Sequence, residues 1–310
     1  MKFVTYEGPN DQPGPGVMIA DDSRILPLGA TGGGPGFKSV QAVIEAGSAG
    51  LVRIRELVDR AGQSDGIPVD SVRLLAPLPR PVQIRDVLCF LDHLRNAARV
   101  MGELAGAPTE DAPPVNPHFT AVPVYYKANR MCIVGPEAEI ERPAGCKMLD
   151  YELEFGMVVG TQGKDIPREK ARDHIFGYTI FNDVSARDLQ GQEMPAGLGP
   201  AKGKDFDTGN VLGPCIVTAD EVDPDDLTMV ARVNGEEVSR GSSSQMDHKV
   251  DDVVSYISRG ETIYPGEIFG SGTVPLGCGL EHKRFLQDGD VIELEITGIG
   301  VLRNRVAATP

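Results

Sequence analysis

The chain has 310 residues, 41% hydrophobic and 24% charged, an ordinary globular composition at a length that buries a substantial core. Its formal net charge of −15 argues against nucleic acid and anionic membrane surfaces as partners, because binding either needs a surplus of Lys and Arg. Gly (37) and Pro (24) are abundant and Trp is absent, so turns and sheet are expected in place of a helical bundle.

From the N-terminus, Met1–Tyr6, Gly16–Ala20 and Ile25–Leu28 read as a short β-meander turning at Asp21-Asp22-Ser23. The glycine run Gly32–Gly36 contains Pro35 and lacks the Gly-Lys-Ser/Thr ending of a phosphate cradle, so it reads as a plain loop. Val40, Val43 and Ile44, then Leu51, Ile54, Leu57 and Val58, recur at helical spacing. The Pro-rich connector Leu75–Pro81 marks a domain boundary. It separates a small N-terminal α+β domain, residues 1–75, from a catalytic domain, residues 82–310.

Beyond the connector, Val87–Leu91 reads as a buried strand, followed by a helix from about Asp92 to Leu104 with Asp92 as N-cap. The Pro-rich stretch Pro108–Pro117 has the length of a functional loop. Asn234-Gly235 between Met229–Val233 and Glu237-Val238 is a hairpin signal. Val250, Val253, Val254 and Ile257 mark an amphipathic helix, and Val291–Ile296 a late strand. The fold class is α+β, mostly β. Cys89, Cys132, Cys146, Cys215 and Cys278 form no CxxC pair and read as reduced. No leader precedes the first strand, and no apolar run approaches the ~18 residues of a membrane span. A cytoplasmic address is expected.

Glu152 and Glu154 alternate along Tyr151–Gly160, and side chains at i and i+2 of a strand share a face. Two such carboxylates repel unless they share a proton, stay in water or bind a cation. The following Met157-Val158-Val159 looks buried, which favours the cation. Asp183 ends a second strand-like run, Gly177–Asp183. Three carboxylates without paired His or Cys suit a hard divalent ion, Mg²⁺ first, then Mn²⁺ or Ca²⁺. Glu293 and Glu295 repeat the spacing without a third carboxylate and read as a solvated face.

Around these residues lie ordered motifs: Tyr125-Tyr126-Lys127, Asp150-Tyr151-Glu152-Leu153-Glu154, Asn182–Gln190, Lys204-Asp205-Phe206, Val233-Asn234-Gly235, Gly270-Ser271-Gly272-Thr273 and Gly298–Asn304. From His93 to Asn304 the chain resembles the fumarylacetoacetate hydrolase family. The resemblance implies a mixed β-sandwich roll behind a smaller N-terminal domain, and a homodimer. It implies that Glu152, Glu154 and Asp183 hold the metal, usually Mg²⁺. Lys204 and Gln190 then contact substrate oxygens, Lys204 stabilising developing negative charge. Thr273 meets the ligand through its backbone or hydroxyl, and Tyr125 and Lys127 line the pocket. Arg187 either clamps a substrate carboxylate or pairs with Asp188. His93 is the general base that activates water.

One departure stands out. Smaller members of that family carry His-x-x-Glu, whereas this chain reads His93-Leu94-Arg95-Asn96. Asn96 cannot take a proton, so the helper of His93 is left open between Glu281, Glu103 and none. The leading functional reading is metal-dependent hydrolysis of a carbon–carbon bond in an acylpyruvate-like or β-diketo acid. Decarboxylation or isomerisation of a 2-oxo dicarboxylate, and hydrolysis or dehydration of a 2-keto-3-deoxy sugar acid, use the same site. A non-catalytic module built on structural Ca²⁺ needs none of His93, Lys204 and Gln190.

Overall fold

The structure, a computed structural model, describes residues 1–8, 12–29, 35–104, 106 and 114–308. Gly32–Gly34 and residues 108–113 of the Pro-rich stretch lie outside these.

Strands Leu153–Val159 and Ile175–Asp183 are buried at every position. That explains their near-continuous apolar sequences, since a sheet covered on both faces leaves no solvent side to encode as polar. The two pair antiparallel with Glu154 opposite Phe181, at the centre of a 12-stranded mixed sheet. On one flank follow Asn210–Thr218, then Lys2–Glu7, Pro13–Ile19, Arg24–Pro27 and Ile67–Pro68. On the other follow Ile268–Gly270, Ile84–Val87 and Tyr125–Ala128. The expected N-terminal meander is present, and its first strand is hydrogen-bonded antiparallel to Asn210–Thr218.

One face of this sheet packs on a 5-stranded sheet that includes Thr228–Val233, Glu236–Ser242, Val291–Ile296 and Gly300–Val306. Leu153, Phe155, Tyr178 and Ile180 meet Met229, Ala231, Leu294 and Ile296 in one core. The opposite face, carrying Val158, Phe176, Phe181 and Ile216, packs on Val40, Val43, Ile44 and Ile54 of helices Val40–Glu45 and Gly47–Arg60. Strands outweigh helices and the sheets do not close into a barrel, so the α+β, mostly β class holds. Asn234 and Gly235 take positive φ, 54° and 79°, as a two-residue type I′ hairpin requires. Among the described residues no helix is long and apolar enough to cross a membrane.

The helix that carries His93 spans Leu91–Leu104. Asp92 does not cap it: that residue lies in the first turn and pairs with Arg95. The cap comes from far along the chain, with the Leu91 amide donating to Asp247 Oδ2 at 2.9 Å.

Candidate active site

Parity along the strands decides which side chains meet. Glu154, Asp86 and Tyr126 point to the same sheet face, because Asp86 lies opposite Tyr126 in register and Gly270 separates Asp86 from the Glu154 strand. Asp183, two residues beyond Phe181, shares that face. Asp86, Glu154 and Asp183 are all buried and each offers an oxygen, the three lying within 4.8 Å of one another. Gly270 makes this approach possible. A Cβ there would stand 2.5 Å from Asp86 Oδ1 and 2.9 Å from Glu154 Oε2, closer than real Cβ contacts come.

This trio is electrostatically unsatisfied. Burial, then the neighbouring Asp183 carboxylate, pushes Asp86 up to about 8. Burial, then Asp86 and Asp183, raises Glu154 well above the usual carboxylate range. Oδ1 of Asp86 and Oδ1 of Asp183 are buried without a hydrogen-bond partner. Close oxygens, mutual repulsion and orphaned acceptors fit a hard divalent cation. Glu154 is held from below by the Gly272 amide at 3.0 Å and the Thr273 hydroxyl at 3.5 Å. Thr273, expected at the ligand, therefore touches Glu154.

Glu152 stands outside the trio. Its Oε1 accepts from Arg187 Nη2 at 2.6 Å and its Oε2 from Lys204 Nζ at 2.5 Å. Against the upward push of burial, Arg187 and Lys204 hold its carboxyl far below the normal range. Lys204, only 2% exposed, also donates to Asp183 Oδ2. Burial favours the neutral amine there, but Asp183 and Glu152 outweigh it and raise the Lys204 pKa, so the residue is a fixed cation.

Arg187 does not pair with Asp188, whose Oδ2 takes the Lys147 amide. Its guanidinium instead binds Asp150 through Nε at 2.8 Å, Glu152 through Nη2, and Gln190 Oε1 through Nη1 at 3.1 Å. Asp150 also accepts from the amides of Gly279 at 2.6 Å and Leu280 at 3.0 Å. It thus ties Arg187 to the short turn Leu280–His282.

That turn carries the partner of His93. His93 Nδ1 is 3.0 Å from Glu281 Oε2, and His93 Nε2 faces Glu152 Oε1 at 3.7 Å. Asn96 donates to Glu281 Oε1 at 2.9 Å, and the Leu276 amide to the same oxygen at 3.0 Å. Burial raises the Glu281 carboxyl, but the His93 hydrogen bond overrides it and leaves it below its usual range. Glu103, the other candidate helper, pairs with Arg99 and Lys283.

The structure brings together Glu152, Glu154, Asp183, Lys204, His93, Arg187, Gln190 and Thr273, but not Tyr125 and Lys127. Those two take the opposite face of Tyr125–Ala128, where Arg85 stacks on Tyr125 and lies opposite Lys127 in register. Tyr126 faces the site instead and donates to Asp183 Oδ2 at 2.6 Å. The one-residue parity of that strand could have pointed to it. Asp86 and Asp150 were also missed: Asp86 follows Arg85 in the strand Ile84–Val87, and Asp150 ends the two-residue strand Leu149–Asp150, so neither interrupts an apolar run. If the carboxylate trio takes a divalent cation, replacing Tyr126 with Phe is expected to weaken its binding ~10-fold, within the range for lost outer-shell partners, while Tyr125→Phe leaves it unchanged. Titration calorimetry with MgCl₂ checks this, and equal effects would remove Tyr126 from the site.

Residues 83–307 match the family model for the fumarylacetoacetate hydrolase C-terminal domain. The chain is 35% identical over 273 residues to human mitochondrial oxaloacetate tautomerase FAHD2A, covering 87% of this chain and 80% of that one. It is similar in structure to a fumarylacetoacetate hydrolase from Exiguobacterium antarcticum, with TM-score 0.78, 33% identity and full coverage of both chains. It is also similar to a probable 2-hydroxyhepta-2,4-diene-1,7-dioate isomerase from Mycobacterium abscessus, with TM-score 0.74, 27% identity and full coverage of both.

Proposed function

This chain belongs to the fumarylacetoacetate hydrolase family, and from that premise we propose that it is a metal-dependent keto–enol tautomerase of oxaloacetate or a similar 2-oxo dicarboxylate. The observation that carries this reading is the buried His93–Glu281 pair facing Glu152, which the Lys204 ammonium joins to Asp183 of the carboxylate trio. The name of the human relative selects the substrate class.

Asp86, Glu154 and Asp183, with Glu152 beside them, would hold a divalent cation, Mg²⁺ by donor type, which supplies Lewis-acid polarisation of the substrate's 2-oxo group. His93 takes the proton from the carbon next to the carbonyl and returns it to the carbonyl oxygen, so the proton count is unchanged. Glu281, held by Asn96 and the Leu276 amide, orients the ring and stabilises the imidazolium that forms in between. The Lys204 ammonium, its three N–H groups turned to Glu152 and Asp183, stabilises the enolate oxygen through its charge. Arg187 is fully engaged by Asp150, Glu152 and Gln190, so its part is to position Glu152 rather than to clamp substrate.

The hydrolytic reading shares every group and differs in one proton: His93 would draw it from water, not from substrate carbon. A cytoplasmic address and a homodimer belong to the same proposal. Enol oxaloacetate, followed by its ultraviolet absorbance with Mg²⁺ present, is expected to disappear faster with enzyme than without, releasing neither pyruvate nor CO₂. Pyruvate release from an acylpyruvate, with oxaloacetate ketonisation unaffected, would overturn the assignment in favour of hydrolysis.

A further inference from the structure

A second group of ligating side chains stands next to the carboxylate trio and differs from it in chemistry. His93, Cys278 and Glu281 are all buried and offer one nitrogen, one sulfur and one oxygen, the three atoms within 4.8 Å of one another. Glu281 Oε2 is central, 3.0 Å from His93 Nδ1 and 3.4 Å from Cys278 Sγ. Donors ~2.0–2.3 Å from a tetrahedral zinc stand roughly 3.3–3.8 Å from each other, so small side-chain shifts complete a three-ligand shell. The framework is fixed on both sides. Cys278 is bridged through its backbone to Glu152, and Glu281 sits on the turn capped by Asp150.

We propose that His93, Cys278 and Glu281 form a second metal site, selective for Zn²⁺ over Mg²⁺, whose occupation locks the proton-transfer pair. Imidazole, thiolate and carboxylate together are a borderline-soft donor set, whereas Asp86, Glu154 and Asp183 supply only hard oxygens. Binding releases the Cys278 thiol proton to solvent and moves the His93 ring proton from Nδ1 to Nε2, the nitrogen that faces Glu152. What remains is a thiolate, a neutral imidazole and a carboxylate, whose two negative charges balance the ion in a buried setting where a net charge is costly. Once bound, the ion occupies the nitrogen that Glu281 otherwise steadies, and the base is lost. This inhibitory consequence rests on the proposed role of His93, but the site itself does not.

The test uses the full-length protein saturated with Mg²⁺ and titrated with Co²⁺, then with Zn²⁺. Wild type is expected to develop a near-ultraviolet thiolate-to-cobalt band that stoichiometric Zn²⁺ removes. Cys278→Ser should lack the band and bind Zn²⁺ about 100-fold more weakly, at least the loss that outer-shell changes alone produce. Cys278→Ala must give the same result and serves if the serine variant does not fold. The other buried cysteines make the comparison necessary, because a band that survives in both variants would place cobalt elsewhere and overturn the site. No band in wild type overturns it as well. Zn²⁺ should also inhibit wild-type turnover, and each Cys278 variant, measured against its own uninhibited rate, should escape. A cysteine-dependent band without inhibition would overturn the lock together with the role of His93, leaving turnover to another base.

Discussion

Glu281→Gln is expected to lower kcat by about 10²–10⁴-fold, the usual worth of a positioned acid–base group, with the fold retained. Glutamine matches the volume of glutamate and keeps an oxygen for Asn96 and the Leu276 amide, which donate to Oε1. It loses the negative charge beside His93 Nδ1 that stabilises the imidazolium and fixes its tautomer. Because the carboxylate trio is untouched, Mg²⁺ affinity by calorimetry should not move. A kcat within a few-fold of wild type would show that His93 works without Glu281.

The largest loss of stability is expected from Arg187→Met, about 3–5 kcal/mol, the range for removing one partner of a buried ion pair. The methionine fills the space of the aliphatic stem, but Asp150 and Glu152, 0% and 4% exposed, lose their shared guanidinium. Glu152 keeps Lys204, and Asp150 keeps two backbone amides, so the lower end of the range applies if these groups relax. The denaturant midpoint should fall with its slope unchanged. A loss under about 1 kcal/mol would mean the guanidinium is not needed to pair Asp150 and Glu152, which would return Arg187 to the substrate-clamp role.

Much of this architecture is legible in the amino-acid sequence. The runs Tyr151–Gly160 and Gly177–Asp183 announced the two central strands, Asn234-Gly235 announced its hairpin, and alternation put Glu152 and Glu154 on one face, whereas Val87–Leu91 is no strand: the strand there is Ile84–Val87 and the helix begins at Leu91. Asp86 and Tyr126 were not readable in the same way, since each enters the site through pairing between segments far apart in the chain, and the same distance left Glu281 only one of the open choices for the helper of His93. Asp86 meets Glu154 only because Ile268–Gly270 lies between their strands. Tyr126 replaces Tyr125 through a one-residue parity that no local propensity records. The helix cap failed for a similar reason: Asp92 satisfies the local rule, yet Asp247 satisfies the backbone amide. Where His-x-x-Glu would keep base and helper on one helix, Asn96 instead reaches Glu281 across 185 positions.

Strand Ile268–Gly270 also sets a timetable for synthesis. It fills the slot between Leu153–Val159 and Ile84–Val87, so every shorter nascent chain has two open strand edges where the finished sheet has none. Open edges invite pairing with other chains, and the carboxylates flanking that slot have nothing to hold them at cation-binding distance. The growing polypeptide therefore gains protection from aggregation and brings Asp86 to Glu154 at the same moment, when Ile268–Gly270 leaves the ribosome. A product truncated before that point should be insoluble rather than merely inactive.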